Sequence, residues 1–173
     1  MMGWLRRFLR REDGTSSVEF ALTFPFVFYF FGLGTETAIY QMQQVMFERG
    51  VDIVVRDLRL GDTTLYDPDT LIQAVCDNAL VVSGCVDDLN LEMETVNVTT
   101  YRGPDSSIDC VDRTETARPL ISMTPGAGDS VMIMRFCLLI DPLFPNWGLG
   151  MVLPQVTGGG VPLYAQTFYV NEP

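Results

Sequence analysis

From Phe20 to Leu33 the chain carries no charge, and the run stands directly behind four arginines, Arg6, Arg7, Arg10 and Arg11. A phenylalanine-rich segment of this kind leaves water, and the basic cluster says in which direction. Positive residues beside an apolar helix stay cytoplasmic, so the bulk of the chain is expected to be exported. Phe20–Leu33 alone is shorter than the ~20 residues that cross a bilayer as a helix. Extending it to Val18–Tyr40 supplies the length but takes in Glu19 and Glu36. A carboxylate costs at least ~2.5 kcal/mol at the centre of a membrane helix and less near the interface. An ordinary single-span anchor seldom accepts two of them.

The helical pattern continues beyond the apolar run. Ile39, Met42, Met46, Ile53 and Leu60 recur at helical spacing, and Tyr40, Phe47, Val51, Val54 and Leu58 widen the same arc. Gln41, Gln44, Glu48, Asp52, Arg56 and Arg59 lie opposite. This predicts a half-buried amphipathic helix over 41–60, closed by Gly61, with Gly50 on its apolar side permitting close approach. Residues 16–60 then form either one long rod, perturbed by Pro25, or two helices broken near Gly32-Leu33-Gly34.

The remainder predicts an α+β head. Asp67-Pro68-Asp69-Thr70 starts a helix, with a capping carboxylate and proline at the first position; Leu71, Ile72, Val75, Cys76 and Ala79 form its buried face, and Ser83-Gly84 ends it. Leu89–Glu94 alternates as a half-exposed strand does, and the phase flips at Val96, Val98 and Thr100. Residues 102–128 read as irregular. Val131–Ile140 predicts a central strand buried on both faces, or one with Arg135 at its rim. Gly158-Gly159-Gly160 predicts a turn and Leu163–Val170 a last strand. Together these give a three-stranded antiparallel meander against the stalk helix and one further helix. Between the last two strands lies the apolar Leu143–Leu153 segment. Leu143, Phe144 and Trp147 are candidates for a subunit or tip contact; a loop folded back over the sheet edge is the other reading.

Net charge is −11, from 22 acidic residues against 11 basic ones, all of them arginine. A body this acidic repels phosphate, which argues against nucleic acid and anionic lipid as partners. Four cysteines in an exported chain predict two disulfides. Of three possible pairings we favour Cys76–Cys85, closing a short loop, and Cys110–Cys137, pinning an irregular segment to a core strand. There is no histidine, so no Ser-His-Asp or Cys-His arrangement exists and a zinc site is not expected. Asp87-Asp88 and Glu92/Glu94 lack the spacing of a calcium loop. The expectation is a protein that is not an enzyme and carries no cofactor.

The stretch Gly14-Thr15-Ser16-Ser17-Val18-Glu19-Phe20-Ala21-Leu22-Thr23-Phe24-Pro25 resembles the start of type IV pilins. Within that family it is most similar to the TadE and TadG pseudopilins of the tight-adherence (Tad, or Flp) pilus, whose pattern is roughly Gly-x-x-x-Val-Glu-Phe-Ala-Leu with a proline following. The resemblance covers residues 14–40; over the rest only element order and cysteine placement agree. It implies a long pilin-like helix with a membrane half and an amphipathic half, cradled by a small sheet. It implies a basic leader over 1–14, a transmembrane helix over 15–40 and an exported head over 41–173. Prepilin peptidase would cut after Gly14, making Thr15 the mature N-terminus and Glu19 the fifth residue, there to pair with the α-amine of a neighbouring subunit during assembly. The implied partners are other pilins or pseudopilins and inner-membrane assembly proteins. The implied location is the bacterial inner membrane, single-pass, with the head periplasmic, or extracellular in an assembled adhesive, biofilm-forming pilus. Major pilins of that system are very small, so a head of this size implies a minor component.

Other readings stay open. One is a pseudopilin of a type II secretion or competence apparatus. Another is a signal-anchored periplasmic binding module, or one released by signal peptidase near Gly32–Thr37, although no A-x-A site is present.

Overall fold

The computed structural model describes residues 15–80, 82–96, 99, 108–115, 122–124, 126 and 128–170. Its longest element is α1 (Thr15–Arg59), which runs through Pro25 and through Gly32-Leu33-Gly34 without interruption. The outer half of α1 owes its place to one stripe. Phe47, Val51, Val54, Val55 and Leu58 are buried, with Gly50 among them, at the three- and four-residue intervals of a helix face. The stripe is narrower than the sequence pattern. Ile39, Met42 and Leu60 are 37, 49 and 77% exposed, because the head covers only the line through Phe47 and Leu58. Gly61, at φ +91, turns the chain out of α1. Its N–H donates to the Leu58 carbonyl (3.1 Å) and that of Asp62 to the Asp57 carbonyl (3.3 Å). This pair of bonds satisfies carbonyls that the helix end would leave bare.

A 3₁₀ turn (Thr63–Tyr66) leads to α2 (Pro68–Asn78). The Asp67 carboxylate accepts from the Thr70 N–H (3.0 Å) and hydroxyl (2.7 Å), with Pro68 at the first position. Leu71, Ile72, Val75 and Ala79 are buried toward α1 and the sheet. A β-carbon on Gly50 would stand 2.8 Å from the Val75 carbonyl oxygen, so only glycine lets the two helix backbones meet there. The helix ends at Asn78, short of Ser83-Gly84. Gly84 instead opens a single turn, α3 (Cys85–Asp88), from a left-handed φ of +73. A Cys76–Cys85 disulfide, Cα–Cα 5.7 Å, ties α2 to that turn.

The sheet contains β1 (Leu89–Thr95), β2 (Ser122–Met123), β3 (Val131–Ile140) and β4 (Val161–Val170), in the order β2-β1-β3-β4. The three long strands are an antiparallel meander; β2 adds a two-residue parallel pairing to the free edge of β1. Leu89, Leu91 and Met93, then Met134, Phe136 and Leu138, then Leu163 and Ala165 point to one face and share a core with α1 and α2. Each side chain of this size contributes about 1.5–3 kcal/mol on full burial. The opposite face of β3 is covered too. Cys137 and Leu139 meet Ile108 and Val111, and a Cys110–Cys137 disulfide holds that cover down. Arg135 is 8% exposed and forms an ion pair with Glu92, its cross-strand neighbour in the register. The expected phase flip after Thr95 involves Val98 and Thr100, which lie outside the described residues, as does most of the 102–128 segment.

A bare helix and the loop that clasps it: candidate functional site

From Ser16 to Phe28 every residue of α1 is exposed. Phe20, Phe26, Phe30 and Phe31 are between 64 and 71% exposed, and none of the apolar window long enough to cross a membrane is buried within the protein. Its polar groups are managed locally. The hydroxyls of Thr23, Thr35 and Thr37 each donate to a carbonyl one turn back, those of Glu19, Phe31 and Leu33. A hydroxyl so satisfied is tolerable where water is absent.

Glu19 is different. It is exposed on this apolar surface, and among the described residues no hydrogen bond or ion pair to its carboxylate is found. Thr15 opens the helix. Gly14, the expected cleavage residue, and the leader lie outside the described residues.

Glu36 is the other carboxylate of the apolar run, and it is only 4% exposed. Its two oxygens accept from the backbone N–H groups of Phe144 (3.1 Å) and Leu149 (2.9 Å). Leu149 belongs to a 3₁₀ turn (Gly148–Met151), whose first amides have no partner within the turn. Gly148 has φ +63, and a β-carbon there would lie 3.0 Å from a Glu36 oxygen. Trp147, next to it, lies against Gly32 of α1 and meets Tyr29 edge-on at 5.1 Å and Phe144 at 5.2 Å. The Leu143–Leu153 loop therefore grips α1 from Tyr29 to Glu36. At its root Arg113 bridges Asp88 (2.7 Å) and Asp141 (2.6 Å). The hydrogen bonds it donates to Asp88 hold its guanidinium well above the ordinary value, against burial, with Asp141 adding to the effect.

Of the three residues expected at a subunit contact, Trp147 is half-buried within the chain, whereas Leu143 and Phe144 remain 55 and 38% exposed. The loop lies on the helix rather than merely over the sheet edge. Sequence reasoning missed Glu36 as the clasp. The available signal was its position: a carboxylate in an apolar run needs donors. Between loop and helix lies a cleft of about 120 Å³, lined by Glu36, Tyr40, Gln43, Ile140, Leu143 and Leu149 among others. That is below the ~300 Å³ at which small-molecule pockets begin. Among the described residues no group of three or more acidic or cysteine side chains is arranged to hold a metal.

Neither family models, nor curated proteins, nor solved structures include a match to this chain.

Proposed function

We propose that this chain is a minor pseudopilin, a single-pass inner-membrane protein cut after Gly14 by prepilin peptidase, which helps initiate or assemble a Tad-type adhesive pilus. The observation that carries this reading is Glu19, exposed on a bare apolar helix with no described partner in its own chain. The other carboxylate of the apolar run, Glu36, accepts from two backbone amides of its own chain. One carboxylate is thus satisfied within the subunit and the other is left for a group supplied from outside. Cleavage after Gly14 would supply that group as the α-amine of Thr15 on an adjacent copy or sister pilin. In low dielectric an ion pair gives little net stability, but leaving one partner alone is strongly penalised. Glu19 therefore selects register and recruits the next subunit.

The division of α1 agrees with that role. A subunit stored in a bilayer and later drawn into a fibre needs a helix whose first turns are free and whose remainder is fixed in a head. The two disulfides suit a head exported to an oxidising compartment. Substituting Glu19→Ala separates the two steps. Leader removal is expected to persist while fibre assembly fails. Normal fibres from that variant would overturn the assigned role.

A further inference from the structure

We propose that the Leu143–Leu153 loop is a second membrane-embedding element, a wedge whose apolar tip enters the outer leaflet beside α1; this rests on the single-pass reading above. The clasp fixes the depth of the loop. At 1.5 Å per residue, Gly32 lies roughly 18 Å along the helix from Phe20 and Glu36 roughly 24 Å, against a hydrocarbon core of ~30 Å. With Phe20 at the inner edge, Trp147 over Gly32 stands beside the outer half of the apolar span, and Glu36 close to its outer boundary.

What the loop exposes there is mainly apolar, with Asn146 the exposed polar side chain at its tip. Leu143, Phe144, Met151 and Val152 are 55, 38, 71 and 76% exposed. From Pro142 to Asn171 the chain carries no charged residue, in a protein of net charge −11. At the root of the loop Asp141 is paired with Arg113.

Backbone entering lipid must bring its hydrogen bonds with it, since each unsatisfied polar group costs several kcal/mol there. The loop does so. The Phe144 and Leu149 amides go to Glu36. The Trp147 amide donates to the Phe144 carbonyl (3.3 Å), and those of Val152 and Leu153 to the Leu149 carbonyl (both 2.9 Å). The Gln155 side chain donates to the Gly150 carbonyl (3.0 Å). Glu36 then does two things at once. It satisfies loop amides that lipid could not, and those amides make its own place in the apolar run tolerable. Because the loop is uncharged, its insertion depends on acyl chains and not on headgroup charge.

The test uses the full chain reconstituted in phosphatidylcholine vesicles, with an environment-sensitive NBD fluorophore on one introduced cysteine. The four native cysteines are disulfide-bonded, so V152C offers a single thiol, and M151C is the second variant. F28C reports the span, and L80C, on a side chain 77% exposed on the head, reports water. Expected for V152C and M151C is blue-shifted emission close to that of F28C, quenched more by lipids brominated near the glycerol end than near the chain terminus. It should be independent of the lipid-to-protein ratio and unchanged by anionic lipid. Water-like emission from V152C and M151C beside a lipid-buried F28C would overturn the wedge and leave the single-pass reading standing. Water-like emission from all the sites would overturn both. A blue shift of V152C that disappears on dilution with lipid would show that a second copy covers the loop, and would overturn the wedge.

Discussion

The indole of Trp147 lies so close over Gly32 that a β-carbon on the glycine would stand 2.5 Å from its ring. The contact joins two residues far apart in the chain, and it depends on glycine having no side chain. Gly32→Val would expel the ring. Inserting bulk into a packed contact costs about 1–3 kcal/mol. In a W4F background, where Trp147 is the sole tryptophan, the variant is expected to show changed emission and faster proteolysis in the Leu143–Leu153 loop. The core of the sheet should be unaffected. Unchanged emission would mean that the ring does not rest on Gly32.

Glu36 holds the same loop by different chemistry. Glu36→Ala leaves the Phe144 and Leu149 amides without their acceptors, at about 1–3 kcal/mol for each group left unsatisfied. Hydrogen exchange should accelerate at those two amides and remain unchanged in β3. Glu36→Gln keeps the shape but replaces one acceptor oxygen by a donor, so only one of the two amides can remain protected. Equal protection of both amides in the glutamine variant would contradict the two-oxygen arrangement.

Acid should loosen the head at defined points. Asp62, Asp67 and Asp112 each accept a threonine hydroxyl and a threonine amide, which hold their carboxyls below the ordinary value of 3.8, hydroxyl first. A carboxyl whose folded pKa is depressed contributes stability that is present above its unfolded value and is lost as pH falls through the folded one. Thermal unfolding of the head is therefore expected to shift downward as pH falls below the ordinary value of 3.8. Asp67→Asn, at the start of α2, should lower Tm less at acid pH than at pH 7, since the protonated acid has already given up the charged bond. An equal loss at both would show that the Asp67 charge is not what caps the helix.

How legible this was depends on the distance over which each feature is decided. β3 and β4 were legible because an apolar run and a period-2 pattern are local. So was the start of α2, where Asp67 and Pro68 act within one turn. β2 was not, since two residues, Ser122 and Met123, carry no pattern and become a strand only by docking on β1. The arc of α1 was read too wide, because periodicity gives every apolar position that could be buried, while the head covers one line of them. The clasp was hidden for a third reason. Glu36 and Leu149 are 113 positions apart, and a carboxylate meeting backbone amides leaves no complementary side chain to notice. Sequence could suggest that Glu36 needed a partner, but not which amides would serve.

The identity of the mature N-terminus tests the assembly role of Glu19 most directly, because without a new amine at Thr15 there is nothing for that carboxylate to meet. Mass spectrometry of the protein isolated from fibre-producing cells should find a chain beginning at Thr15. A working protein that still carries the leader, or one beginning near Thr35, would contradict it.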